Sequence, residues 1–288
     1  MAPGTSRAGE GARLEPYPPQ EPLDGRMYEY QAELLARGLG IVGEEHAYGP
    51  SRLQRIEVFA PRRPNGTILV AFPGGGWTNA YKEFMSHMAP AMVESGAILV
   101  TAGYRLAPDD IFPACADDCG AAVVKARDAA AKLGGDPDRI FLTGHSAGGH
   151  LAALLAVTSS GTEPTETGAF GLSPGDIRGC MPISGSYDLT PAGGYSNRPR
   201  FLGRPGNERL ASPIHRIGAS ALPFLLAIGE NDFPHLVAQA DAFAAALDAR
   251  GVDLERITLA GEDHFTAGWA GMPGSVWTRA AIDWMARK

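Results

Sequence analysis

Along most of the chain, short apolar runs alternate with longer amphipathic stretches. The runs are LQRIEVFA from Leu53, TILVAF from Thr67, AILVTAGY from Ala97, RIFLTG from Arg139, CMPIS from Cys180, PFLLAIG from Pro223 and LERITLA from Leu254. Each is of strand length, and the spacing between them predicts helices at about 82–94, 115–133, 147–158, 235–250 and 274–286. Strand followed by helix, repeated in this way, builds a mostly parallel sheet with helices on its faces. One further helix is predicted ahead of the first strand, in DGRMYEYQAELLARG. There Met27, Tyr30, Leu34 and Leu35 recur at helical spacing after Asp24 as a cap, and a glycine closes the pattern.

Two segments break the rhythm, at about 159–177 and 186–215, both rich in Gly, Pro, Ser and Thr. Long loops in a compact α/β domain are disproportionately functional, so both are candidate pocket walls. Residues 1–24, rich in Pro, Gly and Glu without periodicity, read as a mobile or surface-draped lead segment. The organisation expected is therefore one α/β domain over 25–288, with a small cap made by the insertions and the N-terminal segment.

Composition narrows the range of partners. With 44% hydrophobic and 20% charged residues, the chain has enough apolar material for a sizeable core. A net charge of -7 and the lack of any Lys/Arg run argue against nucleic acid and against an anionic membrane surface. A small molecule is the expected ligand. The three cysteines, Cys115, Cys119 and Cys180, form an odd and sparse set, which argues against a disulfide framework. The opening residues lack the apolar stretch of a signal peptide, and no run reaches the roughly 18 apolar residues of a membrane span, so a cytoplasmic protein is expected. The sequence leaves the oligomeric state open, a homodimer included.

The chemistry centres on RIFLTGHSAGGHLAALLAV, where an apolar strand runs into Gly144-His145-Ser146-Ala147-Gly148 and then directly into an Ala/Leu-rich helix. A GxSxG string alone is common. Placed at a sharp strand-to-helix turn, it lifts a serine hydroxyl out at the carboxyl edge of the sheet, beside the free N–H groups of the helix start. The bland reading is a serine cap with packing glycines. Upstream, TILVAFPGGGWTNAY sets Gly74, Gly75 and Gly76 just after another strand. No Lys-Ser/Thr follows as a phosphate loop requires, so the better reading is an oxyanion hole, with the backbone N–H groups of Gly75, Gly76 and Ala147 as donors.

Acyl transfer at Ser146 also needs a base and a carboxylate to orient it. His264 in LAGEDHFTAG and Asp232 in LLAIGENDFPH each fall just past a predicted strand end, at the same sheet edge as the serine. Asp188 in SGSYDLTP is the serious rival acid, while Glu230 and Asp263 are less well placed. Among the other six histidines, His46, His87, His145 and His150 read as structural or pocket-lining, and His215 and His235 are weaker candidate bases. Trp77, Phe233 and Phe265 directly follow the glycine loop, the acid and the base, so they are candidate pocket-lining aromatics. No HExxH and no Cys/His quartet occurs, so neither metal nor cofactor is expected.

Taken together, PGGGW, GYRLAPDDIFPACADD, GHSAG, SGSYDL, GENDF and DHF resemble the α/β-hydrolase superfamily, in the branch shared by hormone-sensitive-lipase-like esterases and kynurenine formamidase-like hydrolases. The resemblance covers the chain from about residue 50. It implies an α/β-hydrolase fold, a Ser146–Asp232–His264 triad and hydrolysis of small acyl esters as a carboxylesterase. An amidase or arylformamidase using the same triad is the alternative, and a catalytically silent binding scaffold the more distant one. One departure stands out: the branch opens its oxyanion loop with His-Gly-Gly, whereas here Phe72-Pro73 precede the glycines.

Overall fold

The structure, a computed structural model, describes residues 17–288 apart from 19, 24, 160–169 and 219–221. Most of the lead segment, the Asp24 cap and much of the 159–177 insertion therefore lie outside the described residues. Eight strands form one sheet: β1 (Glu44–Ala47), β2 (Arg55–Phe59), β3 (Ile68–Phe72), β4 (Ile98–Ala102), β5 (Ile140–His145), β6 (Gly179–Ile183), β7 (Phe224–Asn231) and β8 (Leu254–Asp263). Their spatial order is β1-β2-β4-β3-β5-β6-β7-β8, with β2 antiparallel to its neighbours β1 and β4, and β3 to β8 parallel to one another. The seven apolar runs all become strands. β1 has no such signature because EEHA carries almost no apolar pattern, and it is placed by the ladder to β2 and by the ion pairs of Glu45 with Arg52 and Lys82.

Alternate residues of the central strands feed two cores. Ile68, Val70, Phe72, Ile98, Val100, Ile140 and Leu142 pack with the helices α3 (Ala114–Ala131), α4 (Ala147–Ser159) and α6 (Pro234–Asp248) on one face. Leu69, Ala71, Leu99 and Phe141 pack with α2 (Ala89–Ser95) and α7 (Val276–Arg287) on the other. Every residue of α4 is buried, as a helix apolar on all sides must be. The helix expected over 82–94 is split: a tight three-residue-per-turn helix runs Lys82–Met88 and α2 restarts at Ala89, with Pro90 in its first turn where its missing N–H costs nothing.

The early helix is α1 (Gly25–Gly38). It presents Tyr30 and Leu34 inward, but Leu35 is turned to solvent and 41% exposed, because one residue step rotates it about 100° away from Leu34. The 186–215 insertion carries short helical turns at Pro191–Gly193, Arg200–Leu202 and Pro213–His215 and the helix α5 (Asn207–Ala211), and it buries Phe201, Leu202 and Ala211 in the core. Among the described residues, no helix is long and apolar enough to cross a membrane.

The strand order fixes where a site can form. From β3 the chain steps to β4 on one side and then returns to β5 on the other. The loops after β3 and β5 therefore diverge, the arrangement that in open α/β sheets places ligands at the carboxyl edge of the parallel strands.

Candidate active site

Ser146 directly follows β5 and opens α4 as its cap residue, its carbonyl accepting the His150 N–H at 2.9 Å. Its φ of 54° is left-handed, a conformation that costs a serine about 1–2 kcal/mol and projects its hydroxyl away from the sheet. The turn is tight enough that a Cβ at Gly148 would sit 2.0 Å from the Phe72 carbonyl oxygen, so only glycine fits there. Ala147, the first residue of α4, has an N–H with no acceptor inside the helix.

Asp232 stands one residue past β7 and His264 one past β8. The parallel register brings these ends together: His264 Nε2 lies 2.9 Å from Ser146 Oγ, and His264 Nδ1 lies 2.9 Å from Asp232 Oδ1. Both side chains are almost wholly buried. Burial alone would raise the Asp232 carboxyl, but the hydrogen bond and charge of His264, the Ser184 hydroxyl and the Phe233 N–H outweigh it and hold the acid below its ordinary value. Asp232 is therefore a carboxylate, able to accept from Nδ1–H and leave Nε2 free to take a proton from the serine.

The rival carboxylates are occupied elsewhere. Asp188 Oδ1 accepts from the Thr190 N–H at 2.9 Å and the Thr190 hydroxyl at 2.7 Å, with His215 at 3.5 Å. Asp263 accepts the N–H groups of Phe265 and Thr266, both at 3.0 Å, and pairs with Arg26. Glu230 accepts the Gly261 N–H at 2.8 Å.

Gly75, Gly76 and Trp77 all adopt positive φ, at 135°, 62° and 62°. The Gly75 carbonyl accepts from the N–H groups of Thr78 and Asn79 at 3.2 and 2.9 Å, which turns the loop back on itself. The buried Tyr104 donates its hydroxyl to the Pro73 carbonyl at 2.7 Å, which holds the residue ahead of the glycines. Beyond the glycines, the Gln20 side-chain amide donates to the Ala80 carbonyl and accepts its N–H, each at 3.0 Å, so part of the lead segment lies against this loop.

The three aromatics separate in role. Phe233 is 42% exposed with its ring 4.7 Å from the His264 ring, and Phe265 lies 5.8 Å from the same imidazole. Trp77, expected to line the pocket, instead turns into the core: it is 5% exposed, stacks on Phe201 at 4.1 Å, and donates its indole N–H to His150 Nδ1 at 3.0 Å.

Sequence reasoning missed Ser184 and Tyr30, and it read His145 as structural or pocket-lining without its partners. Ser184, just past β6 with φ 51°, sits beside the Asp232 carboxylate. His145 and Tyr30 form a buried pair next to His264. The only signal in the sequence was proximity of Ser184 and His145 to strand ends. Tyr30 offered none, being 115 residues from its partner.

The BD-FAE family model matches residues 56–247. Esterase LipQ of Mycobacterium tuberculosis is 34% identical over 71% of this chain and 52% of its own, so the chain spans about half the length of that relative. The kynurenine formamidase of Danio rerio is 26% identical over 76% of this chain and 73% of its own. Among solved structures, a truncated carbohydrate esterase from gut microbiota superposes with a TM-score of 0.70 at 20% identity, covering 86% of this chain and 97% of that one, which establishes the α/β-hydrolase fold.

Proposed function

This chain belongs to the BD-FAE family, and from that premise we propose that it is a serine carboxylesterase that cleaves small acyl esters through an acyl-enzyme. The observation that carries the reading is the continuous line from Asp232 Oδ1 through His264 to Ser146 Oγ, with 2.9 Å at each contact. His264 Nε2 takes the serine proton as Oγ attacks the acyl carbonyl carbon. The carbonyl oxygen, now an oxyanion, is met by the N–H groups of Ala147, Gly75 and Gly76. Asp232 holds the imidazole tautomer and balances the charge of the imidazolium. His264 then returns the proton to the leaving alkoxide, the acyl–oxygen bond breaks, and water repeats the sequence on the acyl-enzyme to release the acid.

Phe233 and Phe265 form the apolar wall against the base. A cytoplasmic setting fits the three buried free thiols. Amide or formamide hydrolysis is the second reading, favoured by the kynurenine formamidase likeness, which extends over more of that relative's length than the LipQ likeness does. The same triad would protonate an amine in place of an alcohol.

A fluorophosphonate probe tests the proposal directly. Covalent labelling at Ser146, abolished in Ser146→Ala with the fold retained, is the expected result. A folded protein that takes no label would remove the esterase and amidase readings together. Matched aryl esters and N-formyl aryl amides then separate the two, the ester expected to turn over faster.

A further inference from the structure

His264 directly follows β8, at one edge of the sheet. β8 is an edge strand, paired on one side by β7 and largely open on the other. A base that must stay within hydrogen-bond reach of Ser146 needs another support, and the proposed reaction assigns no part to the two buried groups packed beside it.

His145 precedes the nucleophile and is 1% exposed. Its Nε2 lies 2.7 Å from the backbone carbonyl oxygen of His264, and its Nδ1 lies 2.8 Å from the Tyr30 hydroxyl. A carbonyl only accepts, so Nε2 carries the proton; Nδ1 is then the acceptor, and Tyr30 donates. The chain runs in one direction, from the Tyr30 hydroxyl through the His145 ring to the carbonyl of the base residue itself.

Packing fixes the same contact. The Tyr30 ring meets Phe265 at 5.4 Å, the His145 and His264 rings are 4.9 Å apart, and a Cβ at Gly268 would lie 2.3 Å from the Tyr30 hydroxyl. Burial, together with the neighbouring His264, presses His145 down to about 3, so the ring stays neutral and keeps one tautomer through the working range of an esterase.

We propose that Tyr30 on α1 and His145 are positioning residues that hold the backbone of the general base in place, so that the docking of α1 sets the alignment of His264 with Ser146. The inference rests on the serine-esterase reading. It assigns a part in catalysis to a helix that precedes the matched family region, which begins at residue 56.

Three variants test it, each followed by steady-state kinetics on p-nitrophenyl acetate and by thermal unfolding. Tyr30→Phe keeps the ring and deletes the donor, and is expected to lower kcat about tenfold with KM nearly unchanged and the fold intact. His145→Leu removes both bonds and is expected to lower kcat about a hundredfold, the size of effect that a misplacement of about 1 Å produces. His145→Gln retains one donor and one acceptor and is expected to recover kcat to within a few-fold of wild type.

A Tyr30→Phe enzyme with wild-type kcat, or a His145→Gln enzyme as slow as His145→Leu at equal thermal stability, overturns the brace while leaving the esterase reading intact. Imidazole nitrogen NMR reads the brace without turnover. The Nε2–H tautomer of His145, with a Tyr30-dependent shift at Nδ1, is expected, and an Nδ1–H tautomer overturns the proposal even if the protein proves inactive.

Discussion

Trp77 donates its indole N–H to His150 Nδ1 across 3.0 Å, while His150 Nε2 contacts the Ala211 carbonyl at 2.7 Å. This one buried imidazole ties the loop after β3 to the first turn of α4 and to the 186–215 insertion. It also explains how Trp77 holds a left-handed φ of 62° that a bulky residue rarely adopts. The backbone is fixed from the other side by the Ala107 N–H, which donates to the Trp77 carbonyl at 3.0 Å.

Trp77→Phe should therefore cost more than its lost area. The phenyl ring can still stack on Phe201, but His150 Nδ1 is left as a buried acceptor with no donor, a loss of about 1–3 kcal/mol. Chemical denaturation should show a lower midpoint with an unchanged slope. Because Trp77 adjoins Gly76, the rate at saturation should also fall. A variant of wild-type stability would mean that the indole bond adds nothing.

The acid assignment turns on two carboxylates that the sequence left in competition. Asp232→Asn should lower kcat by about 10⁴, since an amide favours the wrong imidazole tautomer. Asp188→Asn should leave kcat within a few-fold, because its bonds to Thr190 shape a turn and do not touch His264. Single-turnover acylation with p-nitrophenyl acetate measures both, and the reverse ranking would move the acid to Asp188.

Buried neutral histidines make stability depend on pH in a calculable direction. Burial pushes His150 and His87 down to about 4 and His145 lower still. In the unfolded chain each returns to about 6.5. Between those values the unfolded state binds protons that the folded state refuses, so their stabilising contribution is complete above about pH 6.5 and is lost progressively as pH falls toward 4. The thermal midpoint should drop steadily from pH 7 to pH 5, and a flat profile would contradict neutral burial of these rings.

The sheet was legible in the sequence wherever a strand carries an apolar pattern, continuous in β3 to β6 because both faces are covered and alternating at the β8 edge, where Ile257 and Leu259 remain. β1 escaped because EEHA has no such pattern and its pairing rests on backbone groups. Ser146 was legible because the strand, the turn and the helix adjoin in sequence, and Asp232 and His264 because both follow strand ends. The sequence put Asp232 ahead of Asp188 but kept the rival in play, since each follows a strand and the meeting with His264 depends on the register of β6, β7 and β8. Trp77 misled for a related reason: its place after the glycines fixes where its backbone lies, whereas its side-chain direction depends on His150 and Phe201, which are distant in sequence.

Substrate size follows from what surrounds the serine. The 186–215 insertion anchors itself through Phe201, Leu202 and Ala211, which are buried, with Phe201 against Trp77, while most of 191–200 is exposed. On α1, Tyr30 packs against Phe265. The rings that stand against the base are Phe233 and Phe265, and together they offer the apolar surface expected to hold a small acyl chain or one aromatic ring. Each added methylene should gain about 0.8 kcal/mol, roughly fourfold in kcat/KM, until the wall is covered, and then lose by overpacking. The expected optimum lies at about two to six acyl carbons, with aryl leaving groups accepted. Measuring kcat/KM over p-nitrophenyl esters of increasing length tests this, and Phe233→Ala should flatten the rise because it removes the surface that the chain covers. A maximum on long-chain esters would show that the site extends beyond these two rings.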